Sequence, residues 1–230
     1  MTVESQQSRQ SRQSQVGRPT RDLRRSPLAH RTADLAAVAG GVELLELPFL
    51  SMVSLRVDPH SEVAARVEQA LGLTLPPAGR VADVVVGEVE GVVAGWVRSV
   101  LWLGPDEWLV VGPDGDTLDL VTLLDEAVGD GPGSVVDVSA NRDTLVISGP
   151  RARDLLEKGC TLDLHPRTFT AGQCAQTTFA RGHALIWQTG AEASPGAGPS
   201  VGPVYRLLFR GSFADYFADW LTDAAAEFAV

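Results

Sequence analysis

At 230 residues, 44% of them hydrophobic, the chain can hold one large or two small domains around a sizeable core. No apolar run approaches the roughly 20 residues of a membrane-spanning helix. The net charge of −10 is uneven, because residues 1–31 hold seven Arg against Glu4 and Asp22, a net of +5, and the remainder carries −15; so acidic a body argues against nucleic-acid binding.

In chain order, residues 1–25 are basic, rich in Gln and Ser and nearly devoid of apolar side chains, which predicts a disordered tail. An organellar transit peptide has a similar composition. Leu44 to Leu47 and Met52 to Val57 read as strands broken at Pro48. Asp58 is placed to cap a helix with Pro59 in its first turn, Val63, Val67, Ala70 and Leu71 inward, and Gly72 as its stop. Pro76-Pro77 is a linker, and Val81 to Val93 a strand or irregular strand. Trp96 to Trp102 and Trp108 to Val111 are strands around the turn Gly104-Pro105-Asp106-Glu107. Asp116 is placed to cap the next helix, with Asp119 at N3 and Leu120, Leu124 and Val128 inward.

The clearest unit follows. Val135 to Ser139 and Thr144 to Ile147 are strands joined by the polar turn Ala140 to Asp143. The next helix has Pro150 in its first turn and Ala152, Leu155 and Leu156 on one face, with Gly159 placed to end it in a left-handed conformation. Cys174 to Ala180, His183 to Gln188 and Val204 to Phe209 are strands, Gly190 to Pro203 a loop, and a helix starts at Phe213. Hairpins each followed by a helix predict an α+β fold, mainly antiparallel, with helices on one face of the sheet.

Chemistry is sparse. There is no Gly-x-Gly-x-x-Gly after a strand, no Gly-x-x-x-x-Gly-Lys (Lys158 is the only lysine) and no Gly-x-Ser-x-Gly. Cys160, His165, Cys174 and His183 fall singly on different elements rather than in the close pairs zinc prefers. Two such cysteines make no disulfide framework, and Cys160 reads as a small buried hydrophobe. Ser139 and Ser148 have no His in their own motif, and His30, His60, His165 and His183 are each isolated. No catalytic, cofactor-binding or metal residue is therefore assigned. Trp96, Trp102, Trp108, Trp187 and Trp220 suit core packing or the anchoring of a partner.

The last helix, Phe213 to Phe228, opens with Ser212 and Asp215 at capping-box spacing. Phe213, Phe217, Trp220, Leu221, Ala224 and Phe228 form its apolar stripe. Asp215, Asp219, Asp223 and Glu227 recur every four residues, and like charges so spaced oppose a helix by roughly 0.2–0.5 kcal/mol per pair. The row is either a solvated face or a contact for a basic partner surface.

Asp137-Val138-Ser139, Leu145 to Pro150 and Leu155-Leu156 together resemble the folate-binding aminomethyltransferase superfamily. The ordered set Leu47 to Leu50, Trp102 to Val110, Lys158 to Cys160, Leu162 to Arg167, Cys174 to Thr177, Ser212 to Tyr216 and Trp220-Leu221 resembles one branch, the gamma-subunit family of heterotetrameric sarcosine oxidases, from about Ser26 onward. The resemblance implies ferredoxin-like strand-strand-helix layers over residues 26–230 after a tail at 1–25. It also implies a non-catalytic cytoplasmic subunit beside alpha, beta and delta partners, with FAD, FMN, NAD and tetrahydrofolate in the larger subunits and zinc in the smallest. Aminomethyltransferases carry an acidic Asp pair in the segment matching Phe179 to Trp187, where this chain has no carboxylate. That disfavours a free-standing aminomethyltransferase; an independent folate-binding or regulatory protein of the superfamily is the alternative.

Overall fold

The computed structural model describes residues 23–86, 96–189 and 202–229. Among the described residues, ten strands and five α-helices follow in the order α1 (Thr32–Ala36), β1 (Glu43–Glu46), β2 (Ser51–Val57), α2 (Glu62–Leu71), β3 (Val81–Val86), β4 (Trp96–Gly104), β5 (Glu107–Gly112), α3 (Thr117–Val128), β6 (Gly133–Asp137), β7 (Arg142–Ser148), α4 (Ala152–Glu157), β8 (Gln173–Phe179), β9 (Gly182–Thr189), β10 (Val204–Arg210) and α5 (Ala214–Ala225). The basic head up to residue 22, the end of the valine-rich stretch and most of the Gly190 to Pro203 loop lie outside the described residues.

Two five-stranded sheets form, each paired antiparallel throughout. In the order β3-β4-β5-β2-β6, β2-α2-β4-β5-α3-β6 is a ferredoxin-like unit with β3 added at its edge. The second sheet, β1-β7-β10-β9-β8, is the meander β8-β9-β10 extended by β7 and β1. α2 and α3 cover the outer face of the first sheet, burying Val53, Leu55, Trp108 and Val110 against Val63, Val67, Leu120 and Leu124. α1, α4 and α5 cover the outer face of the second, where Leu145, Ile147, Tyr205, Leu207 and Phe209 meet Leu35, Leu155, Phe217 and Leu221. The inner faces meet each other through Met52, Leu101, Leu109, Val111, Cys174, Leu185, Trp187 and Leu208. The molecule is therefore a four-layer α/β/β/α stack. Strands buried on both sides lose their polar alternation, as Leu109-Val110-Val111 and Leu185-Ile186-Trp187 show.

The predicted strands are present within two residues where the structure describes them, but the two strands of the clearest predicted unit do not pair with each other: β6 joins β2 in the first sheet and β7 joins β1 and β10 in the second, because each completes a different core. α2 starts at Glu62, three residues later than expected, and α5 ends at Ala225, with a 3-10 turn at Ala226–Ala229 in place of its last turn. Four local details also differ. The cap of α2 is Ser61, whose Oγ accepts from Ala64 N at 3.2 Å. Asp58 instead starts the turn before it, its carboxylate accepting from His60 N at 2.9 Å. At α3 the Asp116 carboxylate leaves the helix end uncapped and takes two bonds from Arg98, at 2.8 and 2.7 Å. A bidentate arginine on a carboxylate is worth more than one neutral capping bond. The Ser212/Asp215 box does not form, because a 3-10 turn at Gly211–Phe213 precedes α5 and no side chain caps it. Gly72 does end α2 left-handed, at φ 71°. Gly159, by contrast, is not left-handed. Its hydrogen is needed because a Cβ there would lie 2.7 Å from Cη2 of Trp220.

Candidate functional site

The segment without carboxylates is the β8–β9 hairpin. Phe179 pairs with Gly182 across a two-residue turn, and Ala180 is held there at φ 49°. Three contacts seat the turn. Ala180 N donates to Gly159 O at 2.8 Å, Arg181 N donates to the Tyr216 hydroxyl at 3.2 Å, and Phe217 lies so close to Gly182 that a Cβ would meet its Cζ at 2.7 Å. Phe179 is buried under Phe217 and Trp220, with centroids 5.9 and 4.8 Å away. The hairpin is thus an aromatic packing surface for α5, and no acidic side chain lies between Phe179 and Trp187 to act as proton acceptor or amine ligand.

The acidic row along α5 and the 3-10 turn Ala226–Ala229 that follows it is largely met from within the chain. His30 Nε2 lies 2.8 Å from Asp215, Arg31 Nη2 donates to Asp219 at 2.5 Å while its Nε holds Asp34 at 2.7 Å, and Lys158 Nζ pairs with Glu227 at 2.7 Å. Lys158 also donates to Ala224 O at the C-terminal end of α5, where the helix dipole favours a cation, and stands over the Phe228 ring. No basic residue follows Arg210 in sequence, so the compensation comes from chain that folds back across the helix. Asp223 is exposed and has no ion-pair partner among the described residues.

The cysteines and histidines singled out in sequence are not brought together, and no group of three metal-ligating side chains occurs among the described residues. Cys174 is buried between the sheets, and burial pushes its thiol up to about 12. Cys160 is half-buried against the outer core, its thiol likewise raised by burial. Neither thiol is disposed to be a thiolate at neutral pH. Ser139 is a structural hydroxyl that donates to Asp137 at 2.6 Å and accepts from Met52 N at 3.0 Å. Ser148 donates to Glu43 at 3.3 Å. Of the tryptophans, Trp108 is buried with its indole N–H on Pro76 O at 3.0 Å, Trp187 lies between the sheets under Arg206, and Trp102 and Trp220 border the two outer cores.

One group escaped the sequence reading. Asp143, expected in a turn, is the second residue of β7 and only 4% exposed. Burial first, and then the neighbouring Glu46 carboxylate, push its carboxyl up to about 7. Glu46 in turn accepts from Ser26 Oγ at 2.8 Å and Leu28 N at 3.1 Å, so the two acids sit where the N-terminal segment docks on the second sheet. The alternation Asp143, Leu145, Ile147 onto the helix-covered face was the available signal.

This geometry has counterparts in known proteins. The family model "Sarcosine oxidase, gamma subunit family" matches residues 56–227. The sarcosine oxidase subunits gamma of Corynebacterium sp. (strain P-1) and of Arthrobacter sp. are each 42% identical over 173 residues, 74% of this chain and 80% of theirs. Among solved structures, a chain of the heterotetrameric sarcosine oxidase from Corynebacterium sp. U-96 superposes with TM-score 0.74 at 38% identity, over 90% of this chain and 97% of that one. The glycine cleavage system aminomethyltransferase T from Bartonella henselae superposes with TM-score 0.60 at 12% identity, over 83% of this chain and 48% of that one, a likeness of fold alone. No helix among the described residues is long and apolar enough to cross a membrane. With residues 56–227 matched by the family model and about three-quarters of its length matched at 42% identity, the chain belongs to the sarcosine oxidase gamma subunit family.

Proposed function

We propose that this chain is the non-catalytic gamma subunit of a heterotetrameric sarcosine oxidase in the cytoplasm, packed beside alpha, beta and delta subunits. The complex oxidatively demethylates sarcosine to glycine and yields hydrogen peroxide, with the methyl carbon leaving as formaldehyde or as methylene-tetrahydrofolate. FAD, FMN, NAD and tetrahydrofolate belong to the larger subunits and zinc to the smallest. Residues 26–230 form the aminomethyltransferase-like domain and residues 1–25 a basic tail, of which Arg24 reaches the body by donating to Asp114 at 2.9 and 2.7 Å. Asp215, Asp219, Asp223 and Glu227 are proposed as partner contacts.

The observation that carries this reading is the β8–β9 hairpin. The place of the aminomethyltransferase acid is filled by an aromatic clasp against α5, which leaves a body without a proton acceptor there. In mechanism the chain's own residues therefore supply packing and position: Phe179, Phe217 and Trp220 fix α5 on the sheet, and α5 presents its acidic row outward. The test is co-expression with and without the flavoprotein subunits, followed by gel filtration and absorbance at flavin wavelengths. The isolated chain is expected to be colourless and to give no sarcosine-dependent peroxide, and to co-elute with flavin-bearing partners when they are present. Flavin retained by the isolated chain through gel filtration, or elution apart from the partners, would overturn the proposal.

A further inference from the structure

The end of the second sheet carries a polar row that neither the packing nor the proposed function uses. The β7–β10 ladder sets Arg210 directly opposite Arg142, and the β8–β9 ladder sets Thr178 opposite His183. These side chains share a face with Leu208, Leu185 and Cys174, which meet the first sheet, because residues two apart on a strand point the same way. The row therefore opens into the mouth between the sheets, one step beyond their last apolar contacts. There Arg142, Arg210, His183, Thr178 and Gln176 line an open depression of about 480 Å³. Gln176 ties its rim to the first sheet by donating to Leu103 O at 3.1 Å.

Like charges directly opposite on neighbouring strands destabilise a sheet. Burial and the nearby Arg210 charge both lower the pKa of Arg142. The carboxylate whose field reaches Arg142 is Glu107, and it is already held by Arg56 at 2.7 Å. Among the described residues, no acidic side chain lines the depression and neither arginine has a carboxylate at ion-pairing distance. Two arginines lining one depression with a hydroxyl, an amide and an imidazole make a donor-rich cradle, and guanidinium forks match carboxylate and phosphate oxygens.

We propose that this row binds a compact oxyanion, the phosphate or carboxylate group of a small soluble acid, between Arg142 and Arg210, with Thr178 and His183 as further donors. The proposal is independent of the assignment to a sarcosine oxidase complex. Its test uses the full chain, titrated with inorganic phosphate and, separately, with succinate against sodium chloride at matched ionic strength, read by calorimetry and by thermal unfolding. Saturable binding by at least one of the two probes is expected, with a rise in Tm. Arg210→Gln, at an exposed position, should weaken it about ten- to a hundredfold, the range for hydrogen bonds to charged groups. In chloride alone the same variant should be no less stable than the parent, since it relieves the repulsion on Arg142; a purely structural arginine would move Tm the other way. His183→Ala, also exposed, provides a second and smaller loss of affinity should the first variant fold poorly. A Tm rise that does not saturate, or that is equal in parent and variants, is the general effect of excluded salts and would overturn the proposal. So would the absence of phosphate and succinate binding together with an assembly defect in Arg210→Gln, because the cradle would then belong to a subunit contact.

Discussion

Replacing Gly159 by Ala sets two effects of known size against each other. Ala restricts the unfolded chain and on that account stabilises by about 0.4–1 kcal/mol where the native backbone accepts it. Here the added Cβ would lie 2.7 and 2.8 Å from Cη2 and Cζ2 of Trp220, and 3.3 Å from Ala180 N. The indole has little room to retreat, since it stands edge-on to Phe179 at 4.8 Å between centroids and Phe179 is fully buried. Overpacking of this kind costs about 1–3 kcal/mol, so Gly159→Ala should lose about 1–2 kcal/mol net. For a chain of this length that is a fall in Tm of about 2–8 °C. Urea and thermal unfolding, followed by tryptophan fluorescence, measure it. The decisive comparison is the same substitution in a Trp220→Phe background. A phenyl ring lacks the two atoms in conflict, so there Gly159→Ala should be neutral or slightly stabilising, a coupling within the range for residues in contact. An equal loss in both backgrounds would refute the packing argument and return Gly159 to a role in backbone conformation.

Asp116→Asn should be far more costly than Ser61→Ala. The former breaks a bidentate pair whose side chains are 11% and 4% exposed, where removal of one partner costs about 3–5 kcal/mol, and the latter removes a helix cap worth about 0.5–2 kcal/mol; similar losses in urea melts would contradict the burial of the Arg98 pair. Asp143 is raised from 3.8 to about 7, so the folded state holds a proton that the unfolded state releases, and stability should decline as pH climbs from about 4 to about 7 and level off above. Asp143→Asn should flatten that decline relative to the parent, and parallel pH profiles of the two proteins would count against the buried acid. Asp223→Asn tests the acidic row, since Asp215, Asp219 and Glu227 have internal partners. If the row meets a basic partner surface, assembly at low ionic strength should slow and its salt dependence flatten, whereas an unchanged association rate would leave the row a solvated face.

What the sequence determined by itself was most of the elements and the β4–β5 hairpin; the pairing of β6 and β7, read there as one unit, went to different sheets. Turn residues such as Gly104-Pro105-Asp106-Glu107 and apolar spacings such as Leu120, Leu124 and Val128 act over a few residues, so they can be read without knowing where the chain goes next. The family was legible for the same reason, being carried by short runs of text in a set order. Tertiary structure decided the partners of polar groups. Asp116 had the position of a helix cap but chose Arg98, eighteen residues earlier, because a guanidinium on the adjacent strand offers two charged bonds. The acidic row on α5 looked uncompensated, and Arg31 and Lys158 reach it only because the N-terminal segment and the residue after α4 fold beside that helix. Gly159 had the spacing of a left-handed stop, and the approach of Trp220 from the far end of the chain gives it another reason to lack a side chain. Arg142 and Arg210, unremarked in sequence, face each other only once β10 inserts beside β7. Local propensity depends on neighbours along the chain, whereas the partner of a charge depends on which strands cross, and the strand order of the two sheets follows from how three apolar layers are buried together.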